Sequence, residues 1–332
     1  MTDLAAMAAD ARWIPHRYDR QTGRVQFLRL DAPAMRKLTF LADAEPADSA
    51  AQAWVPARDL AALRPQAGRL HFVFHTAFCR STLLARALDL PGVSFGLSEP
   101  AILNDLAMGG REAGSLVAPV LALLARPVAG APVTVVKPSN VANALLPAVL
   151  QLRADARVLL LSGTLSAFLR SVHKKGLMGR RWARRLHAHV MTYAPVDLGM
   201  AEGELFELTD LQVAGLAWFL QQRHFALVMR AQSGDRLRTL DADALVADRA
   251  RTLGAVASHF GLGASPGAIT AVANGPVFQR HAKLGTDFAA TMAEEDVAAH
   301  SSVVDEEVAM VATWIDAIIA NTGLILPARR AL

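Results

Sequence analysis

An apolar run followed directly by a helix start is the feature that most constrains what this chain can fold into. Residues 70–74 read LHFVF, which is typical of a buried strand, and residues 81–84 read STLL, which opens a helix. The residues between them, HTAFCR at 75–80, contain no glycine and no lysine. They place main-chain N–H groups and the guanidinium of Arg80 at a strand end, where an anion can bind. The sequence therefore predicts an anion-binding turn over residues 75–82, and a turn that only caps the helix is the alternative.

Strand and helix patterns alternate through the rest of the chain. Hydrophobic residues make up 53% of the sequence and charged residues 19%, which indicates a globular protein. Strands separated by helices pair in parallel, so we predict an α/β three-layer sandwich with a central, mainly parallel sheet flanked by helices. Ligands of such sheets bind beyond the carboxyl ends of the strands. Further short apolar runs that suit strands lie at residues 93–95, 133–136, 157–161 and 236–240.

The first part of the chain lacks this alternation. Residues 17–30 carry the sequence QTG at 21–23 between two potentially extended pieces, which predicts a hairpin. We therefore expect an N-terminal elaboration at residues 1–63, packed on an α/β domain at residues 64–332.

Cysteine content and hydropathy limit where the protein can work. Cys79 is the only cysteine, so an intrachain disulfide is excluded and a reducing, cytoplasmic location is expected. Residues 1–20 contain acidic side chains and no apolar run, so we expect no signal peptide. Apolar stretches fall well short of the roughly 20 residues that a membrane span needs, and no membrane partner is expected.

Basic residues are concentrated in one stretch. Seven of the residues from Arg170 to Arg185 are lysine or arginine and none is acidic. Such a stretch suits a polyanionic small molecule, a nucleic acid or an acidic surface, and a solvated helix face is the alternative. Because no sequence-reading module is apparent, no nucleic-acid partner is expected.

Residues 72–84, FVFHTAFCRSTLL, resemble the first loop of the sulfotransferase superfamily. More narrowly, they are similar to bacterial sulfotransferase-like proteins whose loop reads roughly F-H-x-x-F-C-x-S-T-L-L. The likeness extends over about residues 68–290. Further motifs follow in the family's order at Ser98–Pro100 (SEP), Val136–Pro138 (VKP), residues 160–171, residues 240–262 and residues 280–283.

The resemblance implies a P-loop-like fold and 3′-phosphoadenosine-5′-phosphosulfate (PAPS) as the sulfuryl donor, without a metal. The acceptor would be a hydroxyl or amine of a small molecule. Within the turn, the resemblance assigns Arg80, Ser81 and Thr82 to the 5′-phosphosulfate. The other residues that it places against the donor are Thr76, Phe78, Cys79, Ser162, Arg170, Ser171, Arg280 and Lys283. The sequence leaves open whether the chain forms a homodimer.

Three residues at strand ends are candidates for the chemistry. Glu99 is the first choice as general base, because it follows a strand and Pro100 suits the first turn of the next helix; capping that helix is its alternative role. His75 is the second choice, with a structural role as its alternative. Lys137 is the candidate for neutralising the leaving phosphate, with a surface lysine as the alternative.

Two positions depart from the family's pattern. Alignment on residues 81–84 puts Phe78 where most members have a basic residue and Arg80 where they have glycine. In the 3′-phosphate motif, Ser162 or Gly163 stands where an arginine belongs. These departures keep open a catalytically inactive nucleotide- or anion-binding protein with the same fold. A phosphoryl-transfer enzyme is disfavoured, because the Walker lysine is absent.

Overall fold

Strands and helices alternate along the computed structural model, which describes residues 3–65, 68–279, 302–326 and 331–332. The strands are β1 (Trp13–Asp19), β2 (Arg24–Arg29), β3 (Gln52–Pro56), β4 (Arg69–His75), β5 (Ser94–Ser98), β6 (Val133–Lys137), β7 (Val158–Ser162) and β8 (Leu237–Asp241). The helices are α1 (Leu4–Ala9), α2 (Ala32–Lys37), α3 (Ser81–Ala87), α4 (Ala101–Met108), α5 (Gly110–Gly114), α6 (Val117–Leu124), α7 (Leu146–Leu152), α8 (Leu165–Lys174), α9 (Gly176–Tyr193), α10 (Glu202–Glu207), α11 (Asp210–Ala231), α12 (Ala244–Ala247), α13 (Arg249–Phe260), α14 (Pro266–Ala273) and α15 (Ser302–Thr322).

Five of these strands form a parallel sheet in the order β5-β6-β4-β7-β8. The predicted α/β fold class is confirmed. The chain leaves β4 toward β5 on one side and leaves β7 toward β8 on the other, so the connections diverge beside the central strand. Such a divergence opens a crevice at the carboxyl ends of the strands, which is the common ligand site of this architecture. The turn after β4 lies at that crevice.

Both faces of the sheet are covered by helices, as the continuous apolar runs predict. Phe72 and Phe74 belong to one core cluster, whereas Val73 between them belongs to another. This division follows from the alternation of side chains along a strand. A third cluster joins residues of α8, α9, α11 and α15.

The N-terminal strands form a separate antiparallel sheet in the order β1-β2-β3. β1 and β2 form the predicted hairpin around the QTG turn. Val25 and Phe27 of β2 are fully buried and share a core cluster with Phe72 of the parallel sheet. The boundary between residues 63 and 64 stays a prediction. No helix in the described ranges has the length and apolar content needed to cross a bilayer.

Two helical predictions need correction. The sequence predicts a single helix over residues 140–152, capped by Ser139 and kinked at Pro147. In the structure, Asn140–Leu145 is a 3-10 helix and α7 begins only at Leu146. Pro147 is the physical reason, because it has no N–H to continue an earlier helical turn. The Ser139 hydroxyl donates to Asn104 Oδ1 instead, at 2.6 Å.

The sequence also predicts one helix over about residues 242–260, closed by Gly261 and Gly263, but this helix is divided in the structure. α12 ends at Ala247, and Asp248 has non-helical backbone angles (φ −142°, ψ 85°). The Asp248 carboxylate accepts a hydrogen bond from the Arg251 N–H, so it starts α13 as an N-cap.

Candidate functional site

The turn between β4 and α3 has an unusual backbone. Phe78 and Arg80 have φ values of 59° and 58°, in the left-handed region, although neither is glycine. Arg80 thus adopts a conformation that glycine would adopt freely. Among the described residues, no acceptor takes the main-chain N–H of Ala77, Phe78, Arg80 or Thr82. Free N–H groups in a turn with left-handed residues form a concavity that suits an anion.

Cys79 closes the turn from the inside. Its thiol donates to the carbonyl oxygen of Thr76 at 2.6 Å, and it is almost fully buried. Burial raises the pKa of Cys79 to about 11, so the thiol is protonated and unreactive at neutral pH. The Thr76 N–H donates to Leu161 O at 3.1 Å. The contacts of Thr76 and Cys79 with the sulfuryl donor stay predictions, and the Cys79 thiol is engaged within the turn.

The Phe78 side chain is used for packing. Its ring lies 5.7 Å from that of Phe168 on α8 and 5.1 Å from that of Trp182 on α9. Lys175 places its ammonium 6.0 Å from the Phe78 ring. Because these contacts hold the turn against α8 and α9, the predicted contact between the Phe78 side chain and the donor has no support in the geometry.

Glu99 and Lys137 form an ion pair at the ends of neighbouring strands. The Lys137 ammonium donates to Glu99 Oε1, and the Lys137 side chain has no exposed surface. The Glu99 carboxylate is 21% exposed, and the Glu99 N–H donates to Lys137 O at 2.7 Å. Glu99 also has a positive φ of 52°. The alternative of Lys137 as a surface lysine is wrong, since the side chain is buried beside the crevice.

The pair lies next to the turn. The positive charge of Lys137 acts on the Cys79 thiol, where it partly offsets the effect of burial on the pKa. Ser98 precedes Glu99 at the end of β5, and its hydroxyl is buried with no hydrogen-bond partner in the part of the chain described. This hydroxyl is available to a ligand or a water molecule.

His75 links β4 to the segment after β6. Its Nδ1 lies 2.9 Å from Thr76 O and its Nε2 lies 3.0 Å from Pro138 O. Its own carbonyl oxygen accepts from Asn143 Nδ2 at 3.1 Å. Both ring nitrogens therefore face carbonyl oxygens in a buried position, which favours the structural alternative, and a catalytic role for His75 stays a prediction.

Arg80 contacts an acidic residue that follows β8, the strand at one edge of the sheet. Its Nη1 donates to Asp243 Oδ1 at 2.6 Å, in the segment after β8. The Arg80 side chain is 28% exposed, so it does not extend into bulk solvent. Ser81 and Thr82 are buried at the start of α3. Arg80, Ser81 and Thr82, the three residues predicted to hold the 5′-phosphosulfate, therefore lie together in the turn. The guanidinium of Arg80 is paired with the Asp243 carboxylate.

Two of the residues predicted near the 3′-phosphate contact other parts of the chain. The Ser171 hydroxyl donates to Ala167 O at 2.8 Å, one helical turn back. Arg170 pairs with Asp305 of α15 at 2.8 Å. Ser162 ends β7 and is partly exposed. Arg280 and Lys283, the other two predicted nucleotide contacts, lie outside the described residues.

Sequence reasoning missed three residues that the structure brings to these groups: Phe40 against Lys137, Asp243 against Arg80, and Asp305 against Arg170. No local pattern marks them, because each contact joins distant parts of the chain.

Comparisons with known proteins point to one group of structures. No family model matches the chain, and no curated protein matches it. The chain is similar to the sulfotransferase domain from the curacin biosynthetic pathway, at 13% identity over 79% of this chain and 99% of that chain, with a TM-score of 0.41. It is similar to a sulfotransferase from Mycobacterium tuberculosis H37Rv, at 13% identity over 66% of this chain and 73% of that chain, with a TM-score of 0.40. It is also similar to the sulfotransferase domain of the Synechococcus PCC 7002 olefin synthase, at 12% identity over 80% of this chain and 91% of that chain, with a TM-score of 0.39.

All three are sulfotransferase structures, the family that the sequence motifs resemble. Identities of 12–13% and TM-scores of 0.39–0.41 assign neither a substrate nor a residue role to this chain.

Proposed function

We propose that this protein transfers a sulfuryl group from PAPS to a hydroxyl or amine of a small-molecule acceptor. The observation that carries the proposal is the buried Lys137–Glu99 ion pair beside an anion-binding turn. The pair places a cation and a carboxylate at neighbouring strand ends. Sulfuryl transfer needs a cation to offset the charge of the leaving phosphate and a base to accept the proton of the acceptor.

The turn fits the phosphosulfate part of the donor. Unpaired N–H groups, the hydroxyls of Ser81 and Thr82, and the guanidinium of Arg80 are the donors that an anionic oxygen prefers. Lys137 stands near the turn to offset the charge that develops on the departing phosphate. The unpartnered Ser98 hydroxyl leaves one further buried donor at the same strand ends.

The reaction balances with the residues present. The acceptor oxygen or nitrogen forms a bond to sulfur, and its proton passes to the Glu99 carboxylate. The bond between sulfur and the bridging phosphate oxygen breaks, and its electron pair leaves on 3′-phosphoadenosine-5′-phosphate (PAP). The hydrogen bond from the Lys137 ammonium holds the Glu99 carboxylate at the strand ends, beside the turn.

Calorimetry with PAP tests the donor site. We expect measurable binding to the wild-type chain. Arg80→Ala should weaken binding by about 1.5–3 kcal/mol, or roughly 10- to 150-fold, because a charge-assisted hydrogen bond is lost. An absence of binding heat at high protein concentration would contradict the proposal.

Transfer itself is tested with radiolabelled PAPS across a panel of alcohols, phenols and amines. Labelled product with the wild-type chain, and none with Glu99→Gln, is the expected result. Transfer that persists in Glu99→Gln would remove Glu99 as the base.

A second candidate is a protein that binds a nucleotide or another anion without chemistry. Two ion pairs favour this candidate, because Arg80 is paired with Asp243 and Arg170 with Asp305, so that both arginines have a carboxylate partner before any ligand binds. PAP binding with no transfer to any acceptor in the panel would support this candidate over the enzyme.

A further inference from the structure

The N-terminal part of the chain reaches the candidate site through Phe40. The centroid of its ring lies 5.3 Å from the Lys137 ammonium nitrogen. A cation within about 6 Å of an aromatic face is attracted by the ring, and more strongly where water is excluded. Lys137 has no exposed surface, and its ammonium also donates to the Glu99 carboxylate. The ammonium therefore lies between a carboxylate from the α/β domain and a ring from the N-terminal segment.

The segment that carries Phe40 is fastened at defined points. Arg36 donates to both carboxylate oxygens of Asp89, at 2.7 and 3.2 Å, and its guanidinium lies 4.9 Å from the Phe95 ring of β5. Arg86 of α3 donates to the Thr39 hydroxyl at 3.3 Å. These contacts join residues 36–39 to the elements that flank the turn, so Phe40 is held in place rather than merely nearby.

We propose that Phe40 is a positioning residue that holds the Lys137 ammonium at the anion-binding turn. A leucine at this position would fill a similar volume without offering an aromatic face. The ammonium would then lose its contact with an aromatic face in a buried site, which favours reorientation toward Glu99 or toward water. The effect on transfer rests on the proposed function, whereas the contact between Phe40 and Lys137 does not.

Kinetics of Phe40→Leu and Phe40→Tyr form the first test, with Phe206→Leu as a matched control, since Phe206 is 85% exposed. Phe40→Leu should lower kcat by about 2- to 30-fold, the range that a cation–π contact supports. The KM for PAPS should change less than about twofold, because the donor contacts of the turn remain. Phe40→Tyr keeps the ring and should restore the rate.

The second test is independent of transfer. The sequence contains five lysines, so a spectrum of protein labelled with ¹³C-lysine resolves few signals. Ring current from Phe40 should displace the ε-methylene signal of Lys137 in the wild-type chain and in Phe40→Tyr. That displacement should be lost in Phe40→Leu and unchanged in Phe206→Leu.

The two tests separate the possible failures. A Lys137 signal that is the same in Phe40→Leu and wild type would overturn the proposal, as would equal rate losses in Phe40→Leu and Phe40→Tyr. If the wild-type chain shows no transfer at all, the proposed function fails, and the lysine spectrum alone decides whether Phe40 holds Lys137.

Discussion

Positive φ values gather at the candidate site. Of the non-glycine residues with this conformation in the described ranges, Phe78, Arg80 and Glu99 lie at the crevice, and only Ala129 lies elsewhere. Each costs on the order of 1–3 kcal/mol and persists only where the surroundings impose it. Strain of this kind is found where geometry serves a ligand, which agrees with the placement of the turn and the ion pair.

Two substitutions at Arg80 isolate the strain from the charge. Arg80→Gly and Arg80→Ala both remove the guanidinium, but only alanine keeps a Cβ in the left-handed region. We expect Arg80→Gly to be more stable than Arg80→Ala by about 1 kcal/mol in urea unfolding. Both should lose PAP affinity to a similar extent. Equal stability of the two variants would show that the turn is unstrained in solution.

Removing one partner of the Lys137–Glu99 pair should be costly. Glu99→Gln leaves a buried ammonium without its counter-charge, and we expect a loss of about 3 kcal/mol in the free energy of unfolding. The partial exposure of Glu99 puts the effect at the low end of the range for buried pairs. The double variant Glu99→Gln/Lys137→Met should lose less than the sum of the two single variants, as a double-mutant cycle in urea would measure. Additive losses would mean that the pair does not interact.

Asp243 competes with the donor for Arg80. Asp243→Asn should strengthen PAP binding by about 2- to 5-fold in calorimetry, since an exposed ion pair is worth up to about 1 kcal/mol. Asp235→Asn is the matched control, because Asp235 pairs with Arg238 within the same strand region. Weaker binding in Asp243→Asn would instead assign Asp243 to orienting the guanidinium for the ligand.

At the scale of elements, the approach of α3 to the sheet depends on one glycine. A Cβ at Gly96 of β5 would lie 2.7 Å from the Ala85 carbonyl oxygen of α3. Because that obstacle is backbone, α3 and the turn before it would have to shift. Gly96→Ala should therefore lower the free energy of unfolding by about 1–3 kcal/mol and weaken PAP binding as well.

Gly254 is the control for this substitution. It lies within α13, and a Cβ there would meet nothing within 4 Å. Gly254→Ala should raise stability by about 0.5–1 kcal/mol, because alanine favours the helix, and should leave PAP binding unchanged. A stable Gly96→Ala variant with wild-type affinity would show that α3 does not need this close approach.

Local patterns were sufficient to predict the elements that form the site. The turn could be predicted because its strand and its helix are contiguous in the sequence. Glu99 and Lys137 could be predicted because Glu99 directly follows an apolar strand and Lys137 ends one. The contact of Arg80 with Asp243 could not be predicted, since 163 residues separate the two along the chain. Phe40 could not be predicted either, because only the packing of the N-terminal segment brings it to Lys137.

At the scale of the whole molecule, buried histidines couple folding to pH. Burial lowers the pKa of His71 to about 4 and that of His224 to about 4, from an ordinary value of 6.5. His71 stacks on Phe260 at 5.3 Å and accepts the Arg157 N–H at Nδ1, so its neutral form is the one that fits the core. Both rings are neutral in the folded chain near neutral pH.

Stability should therefore fall as the solution becomes acidic. Well above pH 6.5 neither the folded nor the unfolded chain protonates these rings, and they add no pH dependence. Between pH 6.5 and about 4 the unfolded chain binds protons that the folded chain does not, so the free energy of unfolding decreases, by up to about 3 kcal/mol for each histidine. Urea unfolding at pH 7.5, 6 and 4.5 measures this slope.

His71→Phe separates this effect from general acid unfolding. The variant keeps an aromatic ring against Phe260 but loses the acceptor for Arg157, so it should be less stable than wild type at pH 7.5. It should nevertheless lose less stability between pH 6.5 and 4.5, because one of the two strongly shifted histidines no longer binds a proton on unfolding. A variant with the same slope as wild type would show that His71 is not neutral in the folded core, and the acid sensitivity would then belong to other groups.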